Sequence, residues 1–131
     1  MKLLVLVNSF ESFIKLSKQD LPVKVSFKYK GLVRKVMAVV EDFEKVRNEL
    51  FIKHQAIYNQ KNNTFEFKDA ESKNAWQKEV NFLLDTEIDL KFEPIPVSLI
   101  AENNIKLSSL DLTLLDWLII EDDNDTKEKT E

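Results

Sequence analysis

The chain has 131 residues, 44% hydrophobic and 32% charged, with a net charge of −4, the profile of one soluble domain able to bury its own core. Zero cysteines exclude disulfides and thiolate metal sites, and one glycine with three prolines nearly excludes phosphate-cradling loops and nucleophile elbows. Residues 121–131 hold six acids and two lysines, which leaves 17 acids against 17 bases in residues 1–120, a neutral body that argues against general polyanion binding.

Residues 3–7 are a five-residue apolar run that reads as a short buried strand, too short for a secretory leader or a membrane span. Asn8 with Glu11 three residues on resembles a capping box and opens a helix from about 9 to 18. Its apolar face is Phe10, Phe13, Ile14 and Ser17, with Leu16 at the edge, and Pro22 stops it.

A long helix follows, starting between Lys24 and Tyr29 and continuous from about 28 to 57. One heptad register places Tyr29, Leu32, Val36, Val39, Phe43, Val46, Leu50 and Ile57 on a single seam, broken only by Lys53. Val23, Val25, Phe27 and Tyr29 alternate, so a strand is the competing reading there. Gly31 inside the helix suggests close approach of another backbone. Residues 59–63 form a loop and 64–68 a strand. Asp69 with Glu71 and Ser72 starts a second helix to about Asp85 that turns Trp76, Val80, Leu83 and Leu84 inward and lies antiparallel on the first. Residues 87–93 alternate as the best strand in the sequence, with Ile88, Leu90 and Phe92 on one side, before Pro94 and Pro96. Ser108 or Ser109 caps a last helix to about Ile120, with Leu110, Leu114, Trp117 and Leu118 inward. A charged tail, expected to be disordered, ends the chain.

No residues form a convincing chemical constellation. His54 is the single histidine, and neither Leu50 nor Tyr58, its helical neighbours, could share a metal with it. Acid pairs such as Glu41 with Asp42 are sequence neighbours on a solvated surface, without the buried partner that acid–base work needs. Lys24, Lys28 and Lys35 share a helix face beside Phe27 and Tyr29, a weak basic patch. In a neutral body this reads as the solvated flank of an amphipathic helix, facing acids such as Glu87, Asp89 and Glu93, with the two aromatics in the core.

Two segments together resemble a family of small uncharacterised proteins of tailed phages and prophages. The first is Leu21-Pro22-Val23-Lys24-Val25-Ser26-Phe27-Lys28 running into the long helix. The second is Phe67-Lys68-Asp69, then the Trp76 helix, then Leu83-Leu84-Asp85-Thr86-Glu87-Ile88-Asp89-Leu90-Lys91-Phe92-Glu93-Pro94-Ile95-Pro96. Similar proteins also end with a motif like Leu107-Ser108-Ser109-Leu110-Asp111-Leu112 and an apolar helix, so the likeness spans roughly residues 20–120. It departs at Tyr29-Lys30-Gly31, where relatives have an Ala- or Ile-rich helix start, and at the short loop 59–63. The resemblance implies a phage setting, in the virion or the host cytoplasm, and brings no catalytic residues.

The expected fold is α+β: a long helix in an antiparallel helical hairpin, a small sheet of about three strands from 3–7, 64–68 and 87–93, and a short C-terminal helix. Residues 1–120 form a single domain, followed by the acidic tail 121–131. No cofactor or metal is expected, and no enzymatic activity. Val33, Met37, Val40 and Phe51 widen the apolar stripe beyond its seam and form the candidate interaction surface. The function expected is therefore contact with other protein subunits, of phage or host, with a possible homo-oligomer, no membrane and no nucleic acid. A small structural or assembly component of the virion fits best. The alternative is a soluble early phage protein that binds and inhibits a host enzyme or defence complex.

Overall fold

The computed structural model describes residues 1–121, so the acidic tail beyond Glu121 lies outside the described residues. The elements are α1 (Leu3–Ser17), α2 (Val23–Lys53), β1 (Ile57–Asn59), β2 (Thr64–Glu66), α3 (Ala70–Leu84), β3 (Ile95–Pro96), α4 (Val97–Glu102), α5 (Ser109–Leu114) and β4 (Ile119–Ile120). The fold is broadly α+β. Its strands form two separate pairs, β1 antiparallel to β2 and β3 parallel to β4, in place of one three-stranded sheet. The contacts divide into two compact units, residues 1–4 with 37–89 and residues 5–36 with 90–121.

In the first unit, the second half of α2 carries Val40, Phe43 and Phe51 into the core, with Val80 of α3. α2 stops at Lys53, so Ile57 belongs to β1 and not to the seam. The stop is a Schellman closure: the amide of Gln55 donates to the carbonyl of Ile52 and that of Ala56 to Phe51, with Gln55 left-handed at φ 57°. The β1–β2 hairpin turns the chain over residues 60–63, where the Asn59 side chain accepts from the amide of Lys61. Asp69 then caps α3, accepting from the amide of Ser72 at 2.7 Å. α3 returns along α2, so that His54 lies beside Ser72 and Ala75, while Val46 and Leu50 share a groove with Phe82 and Leu83. Residues 87–93 are not a strand. A single bridge, Lys2 to Glu87, replaces the expected ladder, and Ile88, Leu90 and Phe92 are half-buried.

In the second unit, residues 5–17 of α1 replace the strand expected at 3–7 and the capping box expected at Asn8. The helix buries Leu6, Phe13 and Leu16 at helical spacing, and the interval between them is filled by Ser9 and Ser12. These two serines are tolerated because they are bonded: Ser9 Oγ donates to Val5 O and accepts from Trp117 Nε1 at 2.9 Å, and Ser12 Oγ donates to Asp111 Oδ1 at 2.7 Å. The first half of α2 starts at Val23, with the Pro22 carbonyl accepting from the amides of Val25 and Ser26, and buries Leu32 and Val36. Tyr29 donates its hydroxyl proton to Pro94 O. Ile95, Ile100, Ile105, Leu115 and Leu118 complete this core. The last helix is shorter than expected: α5 ends at Leu114, Leu110 is exposed, and Ile119–Ile120 pair with Ile95–Pro96 as strands. Ser108 is its N-cap, in a full capping box with Asp111.

Candidate functional site

The buried line of α2 runs Leu32, Val36, Val40, Phe43, Phe51, and it does not follow the heptad seam. A straight helix repeats at about 3.6 residues per turn, so a strict seven-residue register drifts around it. By the middle of α2 the core side has moved from Val39 to Val40 and from Leu50 to Phe51, leaving the seam residue Val46 37% exposed.

This rotation corrects half of the expected interaction surface. Val40 is buried, and Phe51 is stacked between Phe65 and Trp76 at centroid distances of 3.7 and 4.7 Å. Val33 is half-buried against a small apolar cavity with Leu32, Tyr29 and Leu118. Met37 alone of the four is exposed. Among the described residues nothing lies within 4 Å of where a Gly31 side chain would begin, so none of their backbone approaches it closely. Lys24, Lys28 and Lys35 are exposed as expected for a solvated flank, and Lys28 Nζ is paired with Glu93 at 2.5 Å.

Larger apolar exposures lie elsewhere, Ile52, Ile57 and Leu110 among them. Val23 and Phe27, one turn apart at the start of α2, are 84% and 72% exposed. Phe27 thus leaves the core that its spacing suggested. Its ring has Lys30 Nζ 5.7 Å from the centroid, a cation–π contact. On α3, Phe82 is 83% exposed and overhangs an open groove of about 610 Å³ floored by Val46, Leu50 and Leu83 and edged by Lys78, Glu79 and Thr86. A helical-wheel reading of residues 70–84 marks Phe82 as off the Trp76, Val80, Leu83 face, which is the signal that could have found it.

The carboxylate at the edge of this groove is engaged in holding the fold. Glu79 accepts from Lys53 Nζ at 2.7 Å and meets His54 Nε2 at 2.5 Å. Lys53 first, and then His54, hold its carboxyl below the usual carboxylate range. Among the described residues, no three of His, Asp and Glu gather into a metal-binding set, and no helix is long and apolar enough to cross a membrane. What the groove offers is shape and apolar surface, flanked on α2 by the exposed acids Asp42 and Glu49, one turn before and after Val46. No family model, no curated protein and no solved structure matches this chain.

Proposed function

We propose that this is a non-enzymatic phage protein that acts by protein–protein contact, as a small structural or assembly component of the virion. The observation that carries the reading is Phe82, held almost fully in water above a groove of Val46, Leu50 and Leu83. Burying one such ring stabilises a contact by roughly 1.5–3 kcal/mol, and exposed aromatics beside apolar pockets are where binding energy concentrates. The likeness of residues 20–120 to small tailed-phage proteins supplies the setting. The groove suits a partner's apolar side chains better than a reacting small molecule, because it is lined chiefly by Val46, Leu50, Phe82 and Leu83 and the Glu79 carboxylate at its edge is already tied to Lys53 and His54.

Mass spectrometry of purified virions of the encoding phage tests this. Copies at a fixed ratio to the other structural proteins are the expected result. Absence from virions, with the protein recovered on a host complex, would replace the assembly role with that of a host-directed inhibitor.

A further inference from the structure

Of the exposed apolar sites, which also include Ile52, Ile57 and Leu110, the Val23–Phe27 pair and the Phe82 groove sit in surroundings of opposite charge. Residues 21–40 contain Lys24, Lys28, Lys30, Arg34 and Lys35 and no acid at all. Val23, Phe27, Lys30 and Arg34 follow one another at intervals of four, three and four, so they form one stripe on the outer side of α2, away from Leu32 and Val36. Of the five cations, only Lys28 has an acidic partner among the described ion pairs. The unit that carries the Phe82 groove has the reverse balance, eleven acids against eight bases in residues 1–4 and 37–89. Asp42 and Glu49 stand on the groove's own side of α2.

We propose that the occupant of the Phe82 groove is the Val23–Phe27 stripe of a second copy of this chain. A phenyl ring with a valine one turn away fits a groove of about 610 Å³ whose edge carries one cation and one acid, Lys78 and Glu79. The balance is therefore set by Lys30 at the ring, with Lys24 and Arg34 on the same stretch of α2, meeting Asp42 and Glu49 beside the groove. An apolar centre with a charged rim is the ordinary anatomy of a protein interface. The contact is heterologous: the stripe of one copy fills the groove of the next, so each pair still offers one free stripe and one free groove. The inference rests on the protein-contact reading and narrows its partner to the chain itself.

Light scattering coupled to size separation, from micromolar to millimolar full-length protein, tests it. The wild type should grow with concentration past the mass of two chains, and added salt should reverse the growth. Phe27→Asp and Phe82→Asp should each remain single chains while melting like the wild type, since both positions lie in solvent. Mixed together, they should form a one-to-one pair and stop, because one intact Phe27 then meets one intact groove. Lys30→Glu with Arg34→Glu should weaken association by about tenfold or more without touching the apolar side chains.

A mixture that stays at single-chain mass overturns the proposal, as does either aspartate variant assembling like the wild type. The second of these leaves the protein-contact reading standing on another surface. A wild type that stays a single chain, yet binds duplex DNA through Lys24, Lys30 and Arg34 at physiological salt, assigns the stripe to a polyanion and overturns it equally.

Discussion

Asp111 ties its own helix to another with one carboxylate. Oδ2 accepts from Lys15 Nζ at 2.8 Å and from the amide of Ser108 at 3.0 Å, while Oδ1 accepts from Ser12 Oγ. Lys15 first, then Ser12 and the Ser108 amide, hold the carboxyl far below the ordinary aspartate range. A carboxyl that ionises more readily folded than unfolded stabilises the fold above its unfolded value of about 4, and that contribution is lost as pH falls through the interval below. Thermal melting should therefore weaken progressively on acidification from about pH 4 downward. Asp111→Asn should melt lower at neutral pH and show a shallower acid dependence, and an unchanged acid limb would place the sensitivity elsewhere. Gln55 invites the opposite experiment. It closes α2 in the left-handed region at φ 57°, where a Cβ costs roughly 1–2 kcal/mol that glycine does not carry. Gln55→Gly is expected to stabilise the protein by about 0.5–1 kcal/mol in denaturant melts.

At the scale of elements, α2 separates two ways of reading one apolar pattern. Phe43 is on both the heptad seam and the observed core, whereas Val46 is on the seam alone. Phe43→Asp should cost several kcal/mol by burying an unpaired charge, about 3–5 by analogy with broken buried pairs. Val46→Asp should cost clearly less, since a residue open to the groove can keep its new charge in water. Equal losses in urea melts would restore the heptad seam. Where punctuation is chemical, the sequence is often legible. Asp69 before α3, Ser108 of the two serines offered at α5, and the Asn-rich turn over 60–63 act through neighbouring backbone groups and stand where they were expected, whereas the Asn8 box lies inside α1. The apolar run at 3–7 is different: five such residues fit either period, and the helix emerges once Ser9 and Ser12 are seen to be bonded inside the core. Residues 87–93 keep their alternation in exposure but, among the described residues, pair with a neighbour only at their start, where Glu87 bridges Lys2, and the partner of a strand is written elsewhere in the chain. The brief strand at Ile119–Ile120 has the same origin, since it exists through Ile95–Pro96.

For the molecule as a whole, composition records a neutral body, and only the folded chain shows how unevenly it is laid out. The stretch free of acids between Asp20 and Glu41 was visible as a basic helix flank, but its meaning changed with the exposure of Val23 and Phe27 beside it. Phe82 was hidden for a similar reason, because exposure depends on which neighbours arrive to cover a ring and not on the ring itself.

Each of the two units also holds one of the two tryptophans. Trp76 packs among Phe51 and Phe67 with its indole nitrogen buried and without a hydrogen-bond partner among the described residues, while the Trp117 nitrogen donates to Ser9 beside the rings of Phe13 and Phe92. Their fluorescence is thus a pair of native labels in unlike surroundings. Trp76→Phe removes an unsatisfied donor as well as a fluorophore, so it should leave stability within about 1 kcal/mol of the wild type. With the remaining emission coming from Trp117 alone, and from Trp76 alone in Trp117→Phe, coincident midpoints in denaturant would make the chain a single cooperative folding unit. Separated midpoints would make it two, each reporting its own collapse in its own colour.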